Sequence, residues 1–408
     1  MCGVRSVDPK ILSVADAEYF ARKRLPKSLA MEIEAGAPVP TFGRNLAAFS
    51  DIRFVPRTGL AFPSRELATT LLGHRIAFPL LVAPTGNIRV LHRDAELGAA
   101  RAAGAAGTIY CVSAFMGHPI EDVVAATPGP VFFQLYFVGG RANAEAMIHR
   151  AARAGCAGLI LTLDTTGATQ AERGVQDRAF LPSSKDLRSA VRFLPQALRR
   201  PAWLLDFMRD GMVVDAPMAL SQDGRPMSFS DAFTRMAADM PLVWEDIKWI
   251  RELWSGPLIV KGLLSPEDAR RAVAEGAAAL VVSNHGGHLL PGTLPSLHAL
   301  PRILDAVGHE VEVMLDSGVR RGADVVKALA LGARAVLIGR GYLWAHAAAG
   351  EAGVRRILDV FRTGIDQTLA LIGCPSVADL NESFIDFPAS WREPRTAGTA
   401  PGLDSRSR

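Results

Sequence analysis

The sequence predicts an α/β protein: a single (β/α)8 TIM barrel with an N-terminal helical cap and a long insertion after the fourth strand. Three observations point there. From Leu80 onward, short apolar, β-branched runs alternate with Ala-, Arg- and Glu-rich stretches of helical period. Eight such units follow in a row, which suits a closed barrel better than an open sheet. Most of the runs are apolar on both faces, as parallel strands covered by helices must be. A doubly wound sheet is the second choice and would need a different phosphate loop near its first strand.

The elements follow in chain order. Residues 1–79 precede the rhythm, with a helix at Val14–Arg24 and Pro-rich connections, and read as a cap segment. The predicted strands are Leu80–Pro84, Thr108–Val112, Val131–Tyr136, Leu159–Asp164, Leu258–Gly262, Leu280–Asn284, Val311–Asp316 and Ala335–Gly339. Helices are predicted over Arg93–Ala105, Arg141–Ala154, Ser265–Glu275 and Gly322–Leu331, each with an apolar stripe and a nearby Gly. Ser265-Pro266-Glu267-Asp268 is a good helix start, with Pro at the first helical position and acids in the first turn. Residues of about 165–243 form the insertion, rich in Pro, Met and Phe, where long barrel loops shape or cover a site. The barrel is expected to span 80–390, and 391–408, polar and rich in Pro, Gly, Arg and Ser, to be a disordered tail.

Composition narrows the function classes. Of 408 residues 49% are hydrophobic, enough for a large core, and 45 Lys and Arg against 41 Asp and Glu leave a net charge of +4. The charges are mixed, so neither a nucleic-acid nor a membrane partner is expected. Cys2, Cys111, Cys156 and Cys374 are far apart and form no Cys-x-x-Cys pair, which argues against a disulfide framework or metal site and for a reducing compartment. With no secretory signal and no apolar run long enough to cross a bilayer, a cytoplasmic location is expected.

Barrel chemistry sits where strands end. Polar residues gather there: Thr85-Gly86, Ser113, Gln134 and Tyr136, Thr162 and Asp164, Lys261, Ser283-Asn284-His285, Asp316, and Gly339-Arg340. A ring of them predicts a shared small-molecule site. After the last two strands, Gly318 with Arg320 and Gly339 with Arg340 offer close backbone approach, free N–H groups and paired donors to a phosphate. Lys261 lies in an apolar strand and needs an anionic partner, which a cofactor that becomes anionic would supply. Among nine histidines, His285, following an apolar strand and preceding Gly286-Gly287, is the best placed base. Imidazole suits proton abstraction at neutral pH, and Asp164 can orient and stabilise the imidazolium.

Together these residues resemble the FMN-dependent α-hydroxy-acid oxidase and dehydrogenase family, whose members include glycolate oxidase and the lactate and mandelate dehydrogenases. The resemblance runs from Leu25-Pro26-Lys27 to about Gly373. It rests on Phe132-Phe133-Gln134-Leu135-Tyr136, Leu161-Thr162-Leu163-Asp164, Val260-Lys261-Gly262, Ser283-Asn284-His285-Gly286-Gly287, Asp316-Ser317-Gly318-Val319-Arg320-Arg321-Gly322 and Gly332-Ala333-Arg334-Ala335-Val336-Leu337-Ile338-Gly339-Arg340. It implies FMN as cofactor, held by Thr85, Gly86, Ser113, Gln134, Thr162, Lys261, Ser283, Asp316, Gly318, Arg320, Gly339 and Arg340. It further implies His285 as base, Asp164 as its support, Lys261 as the charge beside the flavin, Tyr136 as a substrate contact, and a homo-oligomer, specifically a tetramer.

Three positions depart from that pattern. The family's carboxylate-gripping arginine after the histidine motif is His288 here, its substrate tyrosine after Leu-Pro-Lys is Ala30, and a further loop arginine falls at Ala171, with Arg173 close by. Imidazole does not replace a bidentate guanidinium for a carboxylate, so His288 is a candidate substrate contact of a different kind. Trp244-Glu245-Asp246-Ile247 through Arg251-Glu252-Leu253-Trp254, Arg200-Pro201-Ala202-Trp203-Leu204 and Gly339-Arg340-Gly341-Tyr342-Leu343-Trp344 look similar to the mycofactocin-biosynthesis flavoprotein branch. That similarity implies oxidation of a peptide-derived amine. The expectation is therefore an FMN oxidoreductase acting on an amine or alcohol carbon of a modified peptide or specialised metabolite, with oxygen as acceptor. The alternatives are a 2-hydroxy-acid enzyme with a rebuilt carboxylate site and a catalytically inactive FMN-binding partner.

Overall fold

The computed structural model describes residues 10–34, 40–165, 187–221, 223–239 and 242–392. Eight parallel strands close into a barrel: β1 (Leu80–Val82), β2 (Tyr110–Ser113), β3 (Val131–Leu135), β4 (Gly158–Thr162), β5 (Leu258–Leu263), β6 (Ala279–Val282), β7 (Glu312–Leu315) and β8 (Ala335–Ile338). Closure is made by β8 on β1, with Val336 opposite Leu80, and β4 pairs β5 with Leu159 opposite Leu258. Most strands are a residue or two shorter than their apolar runs, so Asp164, Ser283, His285, Asp316 and Gly339 lie just past strand ends.

Strand alternation sorts the side chains into two cores. Leu81, Cys111, Phe132, Ile160, Ile259, Val281, Met314 and Leu337 form the cluster inside the barrel, while their neighbours such as Val82, Phe133, Leu161 and Val260 pack outward. The covering helices bury Ala-rich faces, as in Ala95–Ala105, and Pro266–Ala274 begins as its sequence predicts, with the Ser265 side chain accepting from Asp268 N–H.

The cap comprises α1 (Val14–Arg24), α2 (Lys27–Glu34) and α3 (Pro40–Asp51). Ser13 caps α1, Arg22, Lys23 and Arg24 close its last turn, and its apolar side lies on the long helix Arg340–Ile372. That long helix breaks at Ala349-Gly350. The insertion carries helices Leu187–Leu198, Pro201–Arg209 and Phe229–Ala238 and a hairpin of Asp215–Leu220 with Pro226–Ser228. Residues 166–186, with Ala171 and Arg173, and those after 392 lie outside the described residues. The expected tail start is corrected at its edge: Trp391 is buried against His298, ring centroids 4.2 Å apart, and Arg392 pairs with Glu382.

Candidate active site

The barrel's period of two explains why the polar ring converges. Ser113, Gln134, Thr162, Lys261, Ser283, Asp316 and Gly339 each stand two residues beyond an inward-facing core residue, so each continues the same inward row at the barrel mouth. Register places neighbours side by side, with Ser113 opposite Gln134 and Lys261 opposite Thr162. Gln134 Nε2 donates to Thr162 Oγ1 at 3.1 Å, and Ser113 Oγ accepts from Phe115 N–H at 3.2 Å. Thr85 bonds the hydroxyl of Tyr342, and Gly86 lies under Phe115, where a Cβ would come within 2.7 Å of the Phe115 Cβ.

Lys261 is buried, and its ammonium donates to Ser283 Oγ at 2.9 Å and meets Asp316 Oδ2 at 3.1 Å. Burial pulls its pKa down, but Asp316 and then Asp164 outweigh it, so it stays above the ordinary lysine value and charged. The anionic partner the sequence demanded is therefore supplied within the protein by Asp316, which faces the lysine.

His285 stands at φ +56, in the left-handed region that few residues other than Gly, Asn, Asp and His adopt. Its N–H donates to Ser283 Oγ at 3.0 Å, its Nδ1 meets Asp164 Oδ1 at 3.0 Å, and its Nε2 lies 3.4 Å from the Tyr136 hydroxyl. Burial raises the Asp164 pKa, yet the His285 charge and hydrogen bond, then Lys261, hold it below the ordinary carboxylate range. Its other oxygen, Oδ2, is buried without a hydrogen-bond partner among the described residues. Gly262, at φ +104, gives the carboxylate room: a Cβ there would stand 2.7 Å from Asp164 Cβ. Burial and the nearby Asp164 push the Tyr136 phenol far above its usual range, so it stays protonated.

Where a phosphate was expected, the helix Arg340–Ile372 begins at Gly339 without a side-chain cap, and nothing lies within 4 Å of a Cβ built there. Arg320 is mostly buried, which lowers its pKa, and no carboxylate among the described residues comes within ion-pair distance of it. An open helix N-terminus beside a buried, unbridged guanidinium fits a phosphate. Gly318, at φ +92, packs its side-chain position against α3, with the Asn45 carbonyl filling the space a Cβ would need. Arg340 donates to Ile33 O at 3.0 Å and Gly286 O at 2.8 Å, and both arginines face the Phe42 ring, Arg320 at 5.8 Å and Arg340 at 4.8 Å.

His288 lies against His285, ring centroids 4.9 Å apart, and Ala30 is buried in α2. The remaining histidines stand outside the ring. His118 pairs with buried Glu96 at 3.0 Å, and His346 is wholly buried, pushed down to about 3 chiefly by burial and so neutral.

Sequence reasoning missed the residues that come from distant segments. Asn45 and Asn284 exchange two amide hydrogen bonds of 2.8 Å, clamping the His285 loop to α3. Phe229 and Phe233 of the insertion pack on Phe115, 5.5 and 6.3 Å between centroids, and Phe115 abuts Tyr136 at 5.5 Å. An amide on the buried face of α3 was the one signal available for Asn45.

A family model described as FMN-dependent dehydrogenase matches residues 21–387. The chain is 42% identical over 382 residues to pre-mycofactocin synthase of Mycobacterium tuberculosis (strain CDC 1551 / Oshkosh), covering 93% of this chain and 95% of the relative. It is 39% identical over 378 residues to L-lactate dehydrogenase of Caulobacter vibrioides (strain NA1000 / CB15N), covering 92% of this chain and 97% of that relative. A crystal structure of (S)-mandelate dehydrogenase, described as a monotopic membrane protein, superposes with a TM-score of 0.84 at 36% identity, covering 93% of this chain and all of that one.

Proposed function

The chain belongs to the FMN-dependent dehydrogenase family and is an FMN-dependent oxidoreductase; from that premise we propose that it oxidises an amine or alcohol carbon of a modified peptide or specialised metabolite, with oxygen as acceptor. One observation carries this reading. The proton-abstracting pair is intact, with His285 on Asp164 at 3.0 Å, while the flank where a carboxylate would be gripped holds His288 and a buried Ala30. The relative at 42% identity is named pre-mycofactocin synthase, which supports a peptide-derived substrate.

Each residue has a distinct task. Asp164, kept ionised, accepts Nδ1–H of His285, which leaves the Nε2 lone pair facing the site to take the substrate proton. Asp164 then stabilises the imidazolium. Tyr136, a neutral phenol 3.4 Å from Nε2, donates a hydrogen bond to the substrate heteroatom. Phe115, Phe229 and Phe233 wall the approach with rings and exclude water. Bound FMN supplies the acceptor for the two electrons. Thr85, Gly86, Ser113, Gln134, Thr162, Lys261, Ser283 and Asp316 would hold its ring, and Gly318, Arg320, Gly339 and Arg340 its phosphate.

Flavin bleaching under anaerobic conditions tests the reading. A peptide-derived amine should bleach the holoenzyme rapidly, and lactate, glycolate or mandelate slowly. Rapid bleaching by a hydroxy acid would establish the second reading, which the L-lactate dehydrogenase relative favours. If His285→Ala changed no activity, the inactive-partner reading would stand instead.

The same reading makes the protein a cytoplasmic homo-oligomer, a tetramer on the family resemblance. No helix among the described residues is long and apolar enough to cross a membrane. One similar structure is of a monotopic membrane protein, so contact with a bilayer surface, against the expectation from mixed charge, is compatible with this fold.

A further inference from the structure

Arg89 stands three residues after Gly86, in the short helical turn Ile88–Val90 that follows β1, and its guanidinium meets two other segments at once. Nε and Nη2 donate to Asp210 Oδ2 at 2.6 Å and Oδ1 at 3.0 Å, a bidentate pair, and Nη1 donates to Gly117 O at 2.6 Å. The Arg89 and Asp210 side chains are mostly buried, 17% and 13% exposed. A planar guanidinium bonded through all three nitrogens fixes direction as well as distance. Gly117 fits closely under it: a Cβ there would stand 2.8 Å from Arg89 Cβ.

Each contact leads to the aromatic wall. Gly117 ends the turn that carries Phe115, and its N–H is held from the other side, donating to Glu96 Oε1 at 3.0 Å. The Phe115 carbonyl accepts Asn87 N–H at 2.9 Å, and its ring lies against Tyr136, Phe229 and Phe233. Asp210 ends helix Pro201–Arg209, and four residues on Val214 O accepts the N–H of Phe229 at 2.8 Å. The far end of helix Phe229–Ala238 is tied elsewhere, Gly139 N–H donating to Asp239 Oδ2 at 2.7 Å. Arg89 thus bridges the two halves of the wall, Phe115 from the barrel and Phe229 with Phe233 from the insertion. Docking of the insertion has its own anchor, since the buried Trp203 indole donates to Val90 O at 2.8 Å.

We propose that Arg89 is a positioning residue, whose guanidinium couples the insertion to the Phe115 turn and so holds the aromatic wall closed over the cofactor site. This role rests on Phe115, Phe229 and Phe233 being the wall of the approach, and not on which substrate is oxidised. Gly117 and Asp210 engage all three nitrogens, so Arg89 acts on the site through them.

Hydrogen–deuterium exchange and iodide quenching of the flavin, both on the FMN-loaded enzyme, test this without any substrate. Arg89→Gln should speed exchange about ten-fold in residues 113–118 and 226–236 together, since charge-assisted bonds are lost on both sides. Iodide should quench the bound flavin more strongly. Loss of a cation would by charge alone keep iodide away, so a rise reports opening. Asp210→Asn should act in the same direction and more weakly. Combined with Arg89→Gln it should add nothing, as for two members of one clamp. Arg89→Lys, which keeps the charge but not the fork, should restore part of the protection. For whichever substrate bleaches the flavin, Arg89→Gln should raise KM more than it lowers kcat. Unchanged exchange and quenching in Arg89→Gln overturn the proposal. Faster exchange confined to one of the two segments overturns it too, since the pair would then be a local tie. If Arg89→Gln fails to fold, Asp210→Asn decides by the same two measurements. Slow bleaching by peptide-derived amines, with the exchange and quenching effects present, would sink the substrate reading and leave the role of Arg89 standing.

Discussion

At His285 the backbone stands at φ +56 and the next two residues, Gly286 and Gly287, at +69 and +76. A histidine held there is strained, and strain of this sort persists where surroundings over-determine it; here Ser283, Asp164 and Tyr136 do so. His285→Ala should lower kcat about 10²–10⁴-fold with FMN still bound, measured by stopped-flow bleaching. Lys261→Met leaves Asp316 buried without its cation and should cost about 3–5 kcal/mol in urea unfolding, part of which Asp316→Asn restores in the double variant. Folding holds the Asp164 pKa below that of the unfolded chain, so its stabilising contribution is complete above about pH 4 and is lost as the pH falls below that. Thermal midpoints of the native protein should therefore drop more steeply on the acid side than those of Asp164→Asn.

Among the elements, the barrel strands were legible because their apolar runs stop at polar residues, and the period of two carries each of those residues inward. Alternation needs no knowledge of distant segments. The contribution of α3 was not legible: nothing near Asn45 in sequence says that it meets Asn284, or that Phe42 faces both Arg320 and Arg340. Asn45→Ala should cost about 1–3 kcal/mol by stranding the buried Asn284 amide oxygen, read as a lower urea midpoint. The insertion hid its character for a related reason. Its Pro, Met and Phe content was plain, but which acids are used up inward depends on Arg24, Arg89 and Arg93, far away in the chain. On the proposed reading, in which the Phe233 ring on Phe115 walls the approach, Phe233→Ala should raise KM for the preferred substrate more than it lowers kcat.

Over the whole molecule, the cap and the C-terminal region close on one another. Arg53–Phe54 pairs antiparallel with Ile385–Asp386, α1 lies on Arg340–Ile372, and the Arg356 guanidinium donates to Ile11 O at 2.9 Å. The eightfold rhythm foretold the barrel, but not that the segments before and after it would be bound together. β1 finds its second neighbour only when β8 arrives, since Val336 sits opposite Leu80. On the ribosome, then, β1 has an unpaired edge until the chain has been made through Ile338 and released from the exit tunnel. At about 5–20 residues per second that wait is on the order of tens of seconds. During that time the nascent chain carries a sticky, half-built sheet, and the cell must shelter it until the ring shuts.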